Sequence, residues 1–303
     1  MRIREGEVDL DVALYVSFSL PMYERSEDCW VKVYGYGAGT YICGGGGIEC
    51  YGPACSSDFL RFSAGLWIDK EEGLMELDGK ALLVAEDVVD RFYCVSVSAS
   101  PWDGLEILTA AFLSKRTDYH RNTVRWVRAI LSRVASLGRE DLDSLKAIAS
   151  QVYQEFRSYQ LQQYIEVLDK LYSTVSLVSR LGLTSLKQQL MRIRYVGPKV
   201  VSSFILHSGL DQSTAPVDVH YVRFLKRYNL LNDPLSPPNK DFCSMYNCHA
   251  CPMRMKCLYA YTSHLFKKLN GFIQTAAYVS GKLSVGSCRD LNRDRNKLLK
   301  YYP

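Results

Sequence analysis

LKQQLMRIRYVGPKVVSSFILHSGL, residues 186–210, parses as two helices joined by a sharp turn at Tyr195-Val196-Gly197. Pro198 suits the first position of the second helix, where its missing N–H would have had no partner. Gly197 gives the turn access to positive φ. A hairpin of this kind presents unpaired helix N-terminal amides, an arrangement suited to a DNA phosphate. Lys199 follows in the first helical turn, at the positive end of the helix dipole, where an ammonium is disfavoured and an amine nucleophile is favoured. Taken singly, a lysine in a first turn is more commonly a plain surface residue.

Two more features follow downstream. In APVDVHYVRFLKRYNLL, residues 215–231, Asp218 precedes an amphipathic helix and has the position of its N-cap. A capping carboxylate that also faces a cleft can move a proton or stabilise a cationic sugar transition state. Four cysteines then crowd into DFCSMYNCHACPMRMKCLY, residues 241–259, as Cys243-x4-Cys248-x2-Cys251-x5-Cys257. Four thiolates on short spacers suit one zinc ion or the corners of an iron–sulfur cluster. Zinc sites usually pair two C-x2-C knuckles. Only one occurs here, so a cluster is the better fit, with the C-x4-C-x2-C opening shared by two-iron ferredoxins.

The 303 residues carry a net charge of +5. Residues 1–100 hold 8 Lys/Arg and 17 Asp/Glu, a net of −9, which leaves +14 on the remainder. A polyanionic partner therefore suits the second part. The charged opening MRIREGEVDL lacks the apolar run of a signal peptide, and no stretch reaches membrane-span length. The expectation is a soluble intracellular monomer, cytoplasmic and nucleoid-associated, or nuclear in a eukaryote.

Val8, Leu10, Val12, Leu14, Val16, Phe18 and Leu20 alternate with period two, which predicts a half-buried strand. RFYCVSVSAS, residues 91–100, reads as a second β-rich run, so residues 1–100 are expected to form a β-rich, antiparallel N-terminal domain. Asp103 followed by Glu106 predicts a capping box. From there, residues 101–303 read as a helical body, with long amphipathic runs at 121–137 and 145–181. The fold class is α+β. Cys29, Cys43, Cys50 and Cys55 flank a glycine run, where a second metal site is one reading and buried thiols or a disulfide the plainer one.

VGPK, PVDVH nineteen residues later and the compact cysteine loop together resemble the helix–hairpin–helix DNA glycosylase superfamily, in its endonuclease III-like, cluster-bearing branch. The resemblance covers roughly residues 101–260. It implies that Lys199 attacks C1′ of a flipped nucleotide, that Asp218 assists, and that Cys243, Cys248, Cys251 and Cys257 hold a 4Fe-4S cluster. It also implies contacts to damaged double-stranded DNA from Arg194, Tyr195 and Gly197 at the hairpin and from Arg254 and Lys256 beside the cluster. The family's hairpin usually reads L-P-G-V-G, whereas this chain has Ile193-Arg194-Tyr195-Val196-Gly197, and its first cysteine spacer is shorter. Lys115 stands where many relatives carry a glutamine, and either fills the gap left by a flipped base or contacts phosphate. The added N-terminal domain is similar to that of the 8-oxoguanine and 3-methyladenine glycosylases. The implied activity is a DNA glycosylase with AP-lyase chemistry on an oxidised base. The alternatives are a monofunctional glycosylase or a cluster-stabilised DNA-binding module.

Overall fold

A computed structural model describes residues 2–3, 8–44, 47–138, 141–231 and 234–302. Its only sheet among those residues is a small antiparallel one, β1 (Arg2–Ile3), β2 (Tyr23–Ser26), β3 (Cys29–Lys32), β4 (Tyr41–Cys43) and β5 (Ile48–Tyr51), in the order β1-β5-β4-β3-β2. Period-two burial puts Trp30, Lys32, Ile42, Ile48 and Cys50 inward. Helices follow to the C-terminus, so the α+β architecture expected from the sequence is the one observed.

The strand expected over residues 8–20 is instead the helix Leu10–Tyr15, followed by a 3-10 turn at Leu20–Met22. Every residue of that helix is buried, so alternation there does not mark a solvent face. Asp9 caps the helix by accepting the Val12 amide, and Asp11 accepts the indole N–H of Trp30 and pairs with Arg25 and Arg295. Asp9, Asp11, Ser17 and Ser19, four of the polar residues of the pattern, are occupied by internal hydrogen bonds. Residues 92–100 likewise join no ladder; from Cys94 onward they run as a buried segment in which Ser96 donates to Ala64 and Ser98 binds Ser17 and Ser19.

Three disulfides cross-link the chain: Cys29–Cys43, between register partners on β3 and β4, Cys50–Cys55, and Cys94–Cys288. The first two engage the four N-terminal cysteines, so the disulfide reading of that segment stands and the second metal site does not. The helix after residue 103 is present as Gly104–Leu113, but Asp103 makes no side-chain cap to it. Its carboxylate accepts from the buried ammonium of Lys32, the hydroxyl of Ser100 and the backbone amide of Tyr36, which ties the sheet to the start of the body.

Helix Gly104–Leu113 is wholly buried from Ile107 to Leu113 and packs against both Tyr159–Val175 and Pro198–His207. The 145–181 run divides into Leu142–Phe156 and Tyr159–Val175, broken where Arg157 adopts φ +50 and Ser158 caps the next helix. Two apolar cores result. One joins the sheet to the central helix and its neighbours, and the other packs Gly79–Arg91 against Leu258–Phe266 and Asn270–Leu283. No helix among the described residues is long and apolar enough to cross a membrane.

Candidate active site

The hairpin helices are Leu183–Arg192 and Pro198–His207, with Pro198 at the first position of the second. Positive φ falls on Tyr195, at +64, while Gly197 is extended at −120, which corrects the expectation for the glycine. A residue with a side chain thus occupies the left-handed position, and its surroundings hold it there. Lys115 donates to the Tyr195 carbonyl at 3.1 Å, Lys240 donates to the Ile193 carbonyl at 2.7 Å, and the Tyr195 hydroxyl donates to Glu166 at 2.9 Å. Arg194 lies over the Tyr195 ring and 3.6 Å from the same glutamate.

A Cβ at Gly197 would meet nothing within 4 Å, and no side chain caps the helix that follows. The first-turn amides and the open space before them therefore face outward. Lys199 stands exposed in this turn. Lys115 takes no part in lining the cavity beside it. Its half-buried ammonium donates to Gln163 at 3.2 Å and lies 3.4 Å from the centre of the Phe112 ring, and burial followed by the nearby Lys240 charge lowers its pKa to about 8.

Asp218 caps helix Val219–Arg227, accepting the Tyr221 amide at 2.8 Å through Oδ1, and Gln274 reaches Oδ2 at 3.4 Å. Lys199 and Asp218 line one cavity of about 320 Å³ together with Phe18, Tyr119, Tyr278 and Lys282. Nineteen residues of sequence are thereby closed into one site. The aromatic walls are fixed by their neighbours: Phe18 meets Tyr119 edge-on, and the Tyr119 hydroxyl donates to the Ser17 carbonyl at 2.6 Å. His207, also at the wall, is buried with its Nδ1 3.2 Å from the Ser98 carbonyl, and burial lowers its pKa to about 4. Burial likewise lowers that of His220, against the opposing pull of Asp218.

Sequence reasoning passed over Gln274, Tyr278 and Lys282. Their i, i+4, i+8 spacing on helix Asn270–Leu283 was the available signal, because such positions share one helix face. Phe18 had been assigned to a strand.

The second cavity, of about 560 Å³, is lined by Cys243, Cys248, Cys251 and Cys257. These are the four free cysteines of the chain, all others being in disulfides. Burial first, and then the other three thiols, push the Cys243 pKa up to about 12. Among the described residues no three His, Cys, Asp or Glu side chains are grouped to hold a single metal ion. Lys187 enters the same cavity, donating to Thr214 and Tyr259 and standing 3.7 Å from Asp211. Arg254 and Lys256 are exposed on the 3-10 turn Arg254–Lys256.

No family model and no curated protein matches the sequence. Solved structures do match over most of their length. The Clostridium acetobutylicum 8-oxoguanine glycosylase/lyase, in complex with double-stranded DNA containing cytosine opposite 8-oxoguanine, superposes with a TM-score of 0.65 at 14% identity, covering 92% of this chain and 93% of that one. MBOgg1, in complex with a low-affinity DNA ligand, gives 0.62 at 15% identity over 93% and 97%. The 3-methyladenine DNA glycosylase of Archaeoglobus fulgidus gives 0.54 at 12% over 89% and 97%. The chain shares the fold of these glycosylases, including the small sheet ahead of the helical body.

Proposed function

We propose that the protein is a base-excision DNA glycosylase with AP-lyase activity on an oxidised base. The observation that carries this reading is the convergence of Lys199 and Asp218 on one cavity at the open end of the hairpin helix. A base inside a duplex is out of reach, so the target nucleotide is extruded into the cavity, with phosphate contacts offsetting the lost stacking. Lys199, as the neutral amine, attacks C1′; the bond to the base breaks and the base departs with the electron pair. The nitrogen lone pair then displaces O4′ from C1′, the surplus nitrogen proton passes to O4′ as the sugar ring opens, and a protonated Schiff base remains; loss of a C2′ proton then breaks the C3′–O bond and the 3′ phosphate leaves with the electron pair. Asp218 faces this centre with a carboxylate that stabilises positive charge developing on the sugar. The structural neighbours described as 8-oxoguanine glycosylases favour an oxidised base.

DNA contacts are assigned to Arg194, Tyr195 and Gly197, to Lys115 behind them, and to Arg254 and Lys256. At Gly197 a side chain would project into the space through which a phosphate approaches the uncapped amides. Four free thiols around one cavity are a donor set that fits a 4Fe-4S cluster held by Cys243, Cys248, Cys251 and Cys257. Such a group, when bound, cross-links the loop and leaves the chemistry to Lys199. Iron analysis and an absorption band near about 410 nm test it, and zinc without iron overturns it.

The test of the reaction is borohydride trapping on duplexes carrying 8-oxoguanine, thymine glycol, uracil or an abasic site. The expected result is a covalent adduct on an oxidised base and on the abasic site that is absent from Lys199→Gln. DNA binding without any adduct overturns the lyase reading.

A further inference from the structure

Lys282 is the cation in the cavity wall that the lysine chemistry does not use. It sits on helix Asn270–Leu283, one turn beyond Tyr278, and lines the cavity that contains Lys199 and Asp218. Its ammonium donates to Asp118 Oδ2 at 3.0 Å, and its side chain is 26% exposed, so it is held in place and still reachable from the cavity. Asp118 itself is committed: Oδ1 accepts the Arg121 amide at 3.0 Å, capping the π-turn Tyr119–Thr123. Thr117 and Tyr119, on either side of Asp118, also line the cavity.

An ammonium carries three N–H donors and no acceptor. One is occupied by Asp118, and no second protein acceptor engages it among the described residues. A flat ligand between the aromatic walls must therefore meet Lys282 with a lone pair. A ring carbonyl satisfies this, whereas an exocyclic amino group sets donor against donor and leaves both unpaired in a partly desolvated site.

Resting on the glycosylase reading above, we infer that Lys282 is a specificity residue that donates to a carbonyl oxygen on the edge of the flipped base, so that the cavity selects keto-bearing lesions over alkylated amino purines. Asp118 is its positioning partner. The pair acts on the base, while Lys199 acts on the sugar.

Abasic DNA has no base to read, so trapping on it provides an internal reference. The quantity to measure is the ratio of excision rate on 8-oxoguanine to trapping rate on an abasic site, for wild type, Lys282→Met and Lys282→Arg. Loss of a hydrogen bond from a charged donor predicts a roughly 10- to 100-fold lower ratio in Lys282→Met, with substantial recovery in Lys282→Arg. Wild-type enzyme is further expected to prefer 8-oxoguanine and thymine glycol over methylated adenine. An unchanged ratio in Lys282→Met, or wild-type preference for methylated adenine, overturns the inference. This holds even where the variant folds poorly, because the substrate panel uses the native chain. Wild-type protein that traps no abasic site sinks the parent reading instead.

Discussion

Asp218 accepts the Tyr221 amide at 2.8 Å with one carboxylate oxygen and receives Gln274 at 3.4 Å on the other. One side chain thus starts a helix and faces the cavity, and the two roles separate by substitution. Asparagine caps helices as well as aspartate does, so Asp218→Asn is expected to keep its melting temperature while adduct formation slows by about 100-fold or more. Asp218→Ala loses the cap as well, at about 1 kcal/mol. Wild-type trapping by the asparagine variant would remove the carboxylate from the chemistry.

Lys32 and Asp103 are an ion pair with side chains 0% and 2% exposed, the ammonium lying 5.6 Å from the centre of the Phe59 ring. Neutralising one partner leaves a buried charge, so Asp103→Asn is expected to cost about 3–5 kcal/mol in urea unfolding. The double variant Lys32→Met/Asp103→Leu is expected to recover much of that loss. Additive losses in the double variant would contradict this account.

Cysteine chemistry divides the chain into six bonded residues and four free ones. Denatured, unreduced, metal-free protein should therefore give four thiols to Ellman's reagent and ten after reduction. Cys94–Cys288 closes the longest loop, with a sequence separation of 194 residues. In the chain-entropy model that bond contributes about 5 kcal/mol, so Cys94→Ala/Cys288→Ala should melt well below wild type. Ten thiols before reduction would refute the pairing.

His120 stacks on Tyr15 at 4.0 Å, and neither ring nitrogen has a partner among the described residues. Burial lowers its pKa to about 3, as it lowers that of His207 to about 4. Both are neutral in the fold, whereas in the unfolded chain they take up protons near pH ~6.5. The unfolded state then binds more protons over the window from about 6.5 down to those folded values. Stability should fall through it by up to about 1.4 kcal/mol per pH unit for each histidine. His120→Phe keeps the stack and removes one proton from that slope. An unchanged slope in urea titrations at pH 5 and 7 would show that His120 is not the group responsible.

Local grammar was readable wherever it depended on neighbours in the chain. Pro198 at the start of its helix and Asp218 at the cap of the next were both legible, because steric fit and capping act over a few residues. The left-handed residue of the turn was not. Glycine has the lower intrinsic cost, but the bonds from Lys115 and Lys240 to the turn carbonyls and from Tyr195 to Glu166 hold Tyr195 there instead. Asp103 was read as a local cap, and its real partner lies 71 residues away.

The amino-acid sequence alone determined the hairpin, the aspartate-capped helix after it and the cysteine spacing, since each is a short-range pattern of backbone preference or ligand type. Only the tertiary structure decided that residues 10–15 form a helix, that Phe18 and Lys282 share a cavity with Lys199, and which cysteines pair. Those outcomes depend on burial and, for the cavity and for Cys94–Cys288, on contacts across more than a hundred residues, where alternating polarity marks internal hydrogen-bond partners as readily as a solvent face.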